Sequence, residues 1–179
     1  GKALLPLEQL AAMHIDEEKG IATVEDAWQG ACDIVAENIS DSAEVRKLLR
    51  KELWNAGELV SELIIDEKEA PEFLQYRDYS EPVRQLPPHR ILAMNRGEDK
   101  KALKINLRCP DEKLIAKVAQ KLNLKEQSPF YTYYHNALTD SYKRLLLPSL
   151  ERELRNELTE KAEKQAISVF AANLRQLLL

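Results

Sequence analysis

PSLERELRNELTEKAEKQAISVFAANLRQLLL, residues 148–179, sets Leu150, Leu154, Leu158, Ala162, Ala166, Phe170, Leu174 and Leu177 at steps of three and four. Such spacing keeps apolar side chains on one face of a helix that turns every 3.6 residues. At 1.5 Å per residue this helix spans about 45 Å, longer than a small domain is wide. Its five bases and five acids are balanced, and pairs such as Glu151 with Arg155 and Glu157 with Lys161 stand four apart on a solvated face. The stripe steps by four too often for strict heptads, which argues against a coiled coil. Burial is expected for Leu154 and Phe170, with Leu177 to Leu179 as exposed exceptions.

The same phase extends upstream. Ser128 and Pro129 open a helix whose Phe130, Tyr133, Tyr134, Ala137, Leu138 and Leu145 lead into Leu150. Pro148 interrupts it, because proline lacks an N–H and its ring meets the carbonyl four residues back. A kink or break near Leu147 is therefore predicted, followed by an unbroken helix to Leu177.

Toward the N-terminus, Thr23 followed by Asp26 has the form of a capping pair, ahead of Val24, Ala27, Trp28, Ala31, Val35 and Ile39 at helical spacing. Asp41 and Glu44 repeat the signal before Val45, Leu48, Leu49 and Leu53, and Gly57 suits a left-handed stop. Trp28 and Leu49 are expected in the core. SELIID, residues 61–66, fits neither period well and is read as a strand. Pro71, Pro82, Pro87 and Pro88 make the next stretch a turn-rich connector. Pro88 suits a first helical position and Gly97 a stop, giving a short helix over PHRILAMNRG. In ALKINLR, Leu103, Ile105 and Leu107 alternate with Lys104, Asn106 and Arg108, the mark of a half-buried strand. Pro110 and Asp111 open a further helix carrying Leu114, Ile115, Val118, Ala119 and Leu122.

The fold class is thus all-α, with about seven helices, a long C-terminal helix, and at most a small two-stranded β ribbon pairing 61–66 with Leu103–Leu107. The chain reads as a single helical core module over 1–179. Residues 1–57 form a helical start. Residues 58–109 hold the connector, the HRILAMNRGE helix and the short strand, and 110–179 the last helix plus the kinked spine. A composition of 44% hydrophobic and 31% charged residues with five glycines suits a helix-rich globular protein. No apolar run approaches the roughly 20 residues that cross a bilayer, so no membrane partner and a cytoplasmic location are expected.

Charge is unevenly distributed. Glu58 to Glu81 holds eight acids and two bases, a net of −6, while Arg84 to Arg108 holds seven bases and two acids, a net of +5. The basic block either offers phosphates a surface or pairs with the acids beside it. Arg90 and Arg96 lie on the short helix beside the connector, where ion pairs would pin it. Lys100, Lys101, Lys104 and Arg108 follow on a turn and on a strand's polar face, where exposure and nucleic-acid contact are expected.

Chemistry for catalysis is missing from the pattern. There is no phosphate loop, GxSxG elbow, HExxH or paired cysteine, so no enzyme activity, metal, cofactor or small-molecule substrate is expected. His135, Asp140 and Ser141 lie five and six residues apart on one helix and face different ways. Cys32 and Cys109 read as buried small hydrophobes.

AWQGACDIVAENISDSAEVRKLLR (27–50), YRDYSEPVRQLPPHRILAMNRGE (76–98) and DSYKRLLLPSLERELRNELTEKAEKQAISVFAANLRQLLL (140–179) resemble, in order and spacing, the central helical region of the bacterial Tex transcription accessory proteins. These are relatives of a eukaryotic transcription elongation factor. His89, Arg90, Ala93, Arg96, Gly97 and Glu98 stand where the family's motif has them. Pro88 departs from it, since family members often carry serine before the His-Arg pair, and this moves the expected helix start. The resemblance implies an excised domain of a longer protein. A helix-turn-helix region would precede it, and an RNase-H-like domain of the YqgF type, helix-hairpin-helix elements and an OB-type RNA-binding domain would follow. It also implies that the whole protein binds RNA or DNA and that this piece is its helical scaffold. The alternative is a module contacting the transcription machinery with no nucleic-acid binding of its own.

Overall fold

The computed structural model describes residues 7–16 and 20–178, which hold seven α-helices and three strands. The exposure expected of Leu179 lies outside the described residues. Two compact units form, each interleaving two chain segments: 1–46 with 115–147, and 47–114 with 148–179.

The first unit contains α1 (Leu7–Ala12), α2 (Val24–Asp41), the larger part of α5 (Asp111–Lys121) and α6 (Tyr131–Asp140). The Thr23 capping box forms as its sequence implies: the Asp26 N–H donates to Thr23 Oγ1 at 3.1 Å, and the Thr23 N–H to Asp26 Oδ2 at 2.9 Å. Trp28 of α2 stacks on Tyr133 of α6, with ring centroids 4.2 Å apart, and is half-buried rather than enclosed. The core lies deeper, at Ala36, Leu138, Tyr142 and Leu146. After Asp41 the chain turns within one residue. Ser42, not Asp41, caps the next helix, its Oγ accepting from the Val45 N–H.

The disturbance predicted at Pro148 takes the form of a π-helical stretch, Ser141–Leu146, where the Leu147 N–H reaches the Tyr142 carbonyl five residues back. The widened turn accommodates the proline ring and its missing donor. From there α7 (Leu147–Leu177) runs without interruption, as its spacing predicts.

The second unit is built on β1 (Glu58–Leu63), β2 (Asp78–Pro82) and β3 (Leu103–Arg108), an antiparallel sheet in the order β2-β1-β3. This corrects the two-stranded ribbon: the β1–β3 pairing holds, but a third strand joins and β1 starts three residues earlier than expected. Both errors have a physical cause. β1 is central and buries Leu59, Val60 and Ser61 in succession, so no alternation marks it. β2 is DYSEP, an edge strand of polar residues ending in proline, which an edge tolerates and a central strand does not. Ser61 donates its hydroxyl to the Tyr76 carbonyl at 2.6 Å, so its burial leaves no orphan.

α3 (Ala43–Ala56), α4 (Pro88–Asp99) and the first half of α7 supply this unit's other core residues, with Leu49, Leu53, Ile91, Met94, Leu150, Leu154, Leu158 and Ala162 buried. Asn95 donates to Thr159 Oγ1 at 2.8 Å, and Glu151 Oε1 accepts the Leu107 N–H at 3.0 Å. Beyond Ala162 every described residue of α7 is exposed. Phe170, expected in the core, is 68% exposed: helical phase names an apolar face but not the length over which a neighbour covers it.

Two glycines do other work than the expected stops. Neither Gly57 nor Gly97 has a positive φ. At Gly57 a Cβ would run into the Leu53 carbonyl oxygen. Gly97 is buried inside α4, where a Cβ would meet Leu103 Cδ1 at 2.5 Å and Cγ at 2.7 Å.

Candidate functional site

The end of α4 places the basic residues. The Ala102 N–H bonds the Gly97 carbonyl at 2.9 Å and the Lys101 N–H the Glu98 carbonyl at 2.8 Å, the paired closure of a Schellman motif. Its left-handed position, usually glycine, is Lys101 at φ 56°. Only Asn123 among the other described non-glycine residues shares such a φ. The four candidate cations therefore fare differently. Lys100 Nζ bonds Glu72 Oε1 at 3.0 Å and sits 5.5 Å from the Phe73 ring centre. The Glu72 carboxyl is held below the usual carboxylate range by its own backbone N–H and by the Lys100 ammonium. Arg108 reaches Glu58 at 3.9 Å across its register pair. Lys101 and Lys104 are exposed and make no ion pair among the described residues, although Lys104 stands in register with Glu62.

The motif residues are likewise divided. Arg90 donates to Glu81 Oε2 at 3.0 Å and to the Tyr79 hydroxyl, with its guanidinium 5.0 Å from the centre of that ring. It thus pins β2 to α4. Glu98 is gripped by both terminal nitrogens of Arg155, tying α4 to α7. Arg96 is exposed, near enough to Glu72 to help lower its carboxyl pKa. His89 is exposed and lines a hollow of about 510 Å³ with Leu92, Val169 and Phe170. Gly97 is the point of close approach between α4 and β3.

Three cations of the basic block, Arg90, Lys100 and Arg108, thus meet acids of the preceding block. The fold commits Arg90 to the contact of α4 with β2, Gly97 to its close approach to β3 and Glu98 to its junction with α7, and leaves His89, Arg96, Lys101 and Lys104 on the surface. Arg155 was missed in that junction. Sequence reading paired it with Glu151, four residues away, whereas its carboxylate partner in the fold lies 57 residues away.

His135, Asp140 and Ser141 have separate engagements. Asp140 is held by Arg144 in a bidentate pair, Ser141 donates to the Ala36 carbonyl at 2.7 Å, and the His135 ring tilts against Tyr131. Cys32 and Cys109 form no disulfide among the described residues, and both are half-buried, not enclosed. Among the described residues no group of three His, Cys, Asp or Glu side chains is placed to hold a metal ion, and no helix is long and apolar enough to cross a membrane.

A family model described as Tex central region-like matches residues 3–170. Uncharacterized protein YdcI of Bacillus subtilis is 39% identical over 175 residues, covering 97% of this chain and 24% of its own length. Protein tex of Bordetella pertussis is 32% identical, covering 95% of this chain and 23% of its own. The human S1 RNA-binding domain-containing protein 1 is 33% identical, covering 90% and 18%. The chain spans about a quarter or less of the length of these curated relatives. With the family model matched over most of its length, the chain belongs to the Tex family, as its central region.

Proposed function

We propose that this chain is the helical scaffold of a Tex-like transcription accessory protein that associates with nucleic acid, performing no chemical step of its own. Relatives named transcriptional accessory protein Tex and S1 RNA-binding domain-containing protein 1 support the coarse reading. In the finer one, the basic block mainly secures the fold, and Lys101 with Lys104 touches the phosphate backbone.

One observation carries the finer reading. Lys101 holds a left-handed φ at an exposed helix end that glycine would occupy at lower cost, and its ammonium is not used by any ion pair among the described residues. Each released phosphate counterion makes binding weaker as salt rises, so an exposed lysine of this kind leaves a measurable trace.

The test is binding of labelled RNA and DNA by the full-length protein across a salt series. Lys101→Gly together with Lys104→Gln should weaken binding and flatten the salt slope by one to two contacts, about 0.9 per contact for B-form DNA. Stability should be unchanged or raised. Unaltered binding and slope would remove these lysines from the interface.

A further inference from the structure

Arg96, Lys100 and Lys101 crowd the end of α4, with Lys104 on the strand that follows. One acid reaches them from outside the helix. Glu72 lies in the first turn of the 3₁₀ segment Pro71–Tyr76, accepts Lys100 Nζ at 3.0 Å and is near enough to Arg96 to feel its charge. Its own backbone N–H first, and then these two bases, keep the carboxyl below the usual carboxylate range, so it is an anion at neutral pH.

The position of Glu72 does not depend on its ion pair. Phe73, the next residue, is buried, and a Cβ on Gly97 would come within 3.2 Å of its ring. Core packing therefore fixes the acid beside the end of α4. The ion pair is by contrast exposed, its side chains 55% and 51% accessible. Exposed pairs are screened and shift an equilibrium by at most about fivefold, so Lys100 loses little on leaving this one.

A phosphate on a nucleic-acid strand offers Lys100 more than the carboxylate does. It brings several acceptor oxygens, and its neutralisation releases a condensed counterion. Arg96, one helical turn before Lys100, and Lys101, directly after it, make no ion pair among the described residues and supply further charge to the same strand. We propose that Glu72 is a built-in competitor for phosphate, occupying Lys100 while the basic patch is empty and yielding it to the backbone of a bound nucleic acid. The inference rests on the assignment of Lys101 and Lys104 to that backbone and adds the element that regulates its affinity. While Glu72 is present, the cation gained at the phosphate is offset by the carboxylate left behind, so Lys100 adds nothing to net counterion release.

The experiment is anisotropy of a fluorescein-labelled DNA duplex with the full-length protein across a salt series. Glu72→Gln should tighten binding about threefold at low salt and steepen the salt slope by about 0.9, the value of one contact. In a Lys100→Gln background the same substitution should leave the slope unchanged, because no ammonium is freed. Glu163→Gln on exposed α7 makes the same change in net charge and should alter neither Kd nor slope. A slope steepened equally in both backgrounds, or equally by Glu163→Gln, would reduce the effect to net charge and overturn the proposal. The melting temperature of Glu72→Gln should match the parent's, since Phe73 anchors the segment; a clear drop would make the pair structural and overturn the competition. If Lys101→Gly with Lys104→Gln weakens binding while Glu72→Gln changes nothing, the patch stands and only the competitor falls. If the two lysines are without effect, their assignment falls and takes the competitor with it.

Discussion

Arg90 on α4 reaches back nine residues to Glu81 on β2 at 3.0 Å, and the same guanidinium donates to the Tyr79 hydroxyl. A basic residue in a basic block is thereby spent on the adjacent acidic block, and the edge strand that sequence reading overlooked is held in place. The side chains are 40% and 21% exposed, which screens the pair. Arg90→Ala should cost about 1 kcal/mol, and the double-mutant cycle with Glu81→Ala should recover most of it as coupling. Urea denaturation of the four proteins measures both. Coupling near zero would make the contact incidental.

Glycine substitutions should separate two environments. Gly30 sits mid-helix in α2 with nothing within 4 Å of a Cβ, so Gly30→Ala should stabilise by about 0.5 to 1 kcal/mol. Gly97→Ala gains the same propensity but drives its methyl into Leu103, a buried side chain with nowhere to go. Overpacking of this kind costs about 1 to 3 kcal/mol and should win. Thermal melts of the two variants should move in opposite directions.

Lys101→Gly should raise stability by up to about 1 kcal/mol by relieving the left-handed residue of its Cβ. Differential scanning calorimetry of this single variant checks it. A lowered melting temperature would mean that the lysine side chain has a structural partner in the folded protein.

Along α7 the cost of truncation should change abruptly. Leu154→Ala should destabilise by about 2 to 5 kcal/mol, since the side chain is buried. Phe170→Ala, on the same stripe but exposed, should stay within about 0.5 kcal/mol of the parent chain. Chemical denaturation of both variants reports the difference.

Acid should weaken the second unit through Glu157. Lys161 first, and Arg50 next, hold its carboxyl below the usual glutamate range. A carboxyl whose folded pKa is depressed contributes stability that is complete above the unfolded value, about 4.3 for glutamate, and is lost as pH falls through the folded one. Glu157→Gln should therefore flatten the acid limb of the stability curve below about pH 4.3. Above it, the variant should be uniformly less stable. An unchanged acid limb would show that Glu157 does not contribute.

Helix positions, the Thr23 cap, the uninterrupted course of α7 and the alternation of β3 were legible because each is written in contacts within a few residues. Only tertiary structure decided the rest. Whether Phe170 is covered depends on where a neighbour ends, and whether Gly97 stops a helix or admits Leu103 depends on a side chain brought from the next strand. β2 has little local signal, since an edge strand takes half its character from the strand beside it. The partners of Lys100 and Arg155 lie 28 and 57 residues away, distances at which periodicity carries no information about charge pairing. Local period specifies which face of an element is apolar; packing alone specifies what meets it.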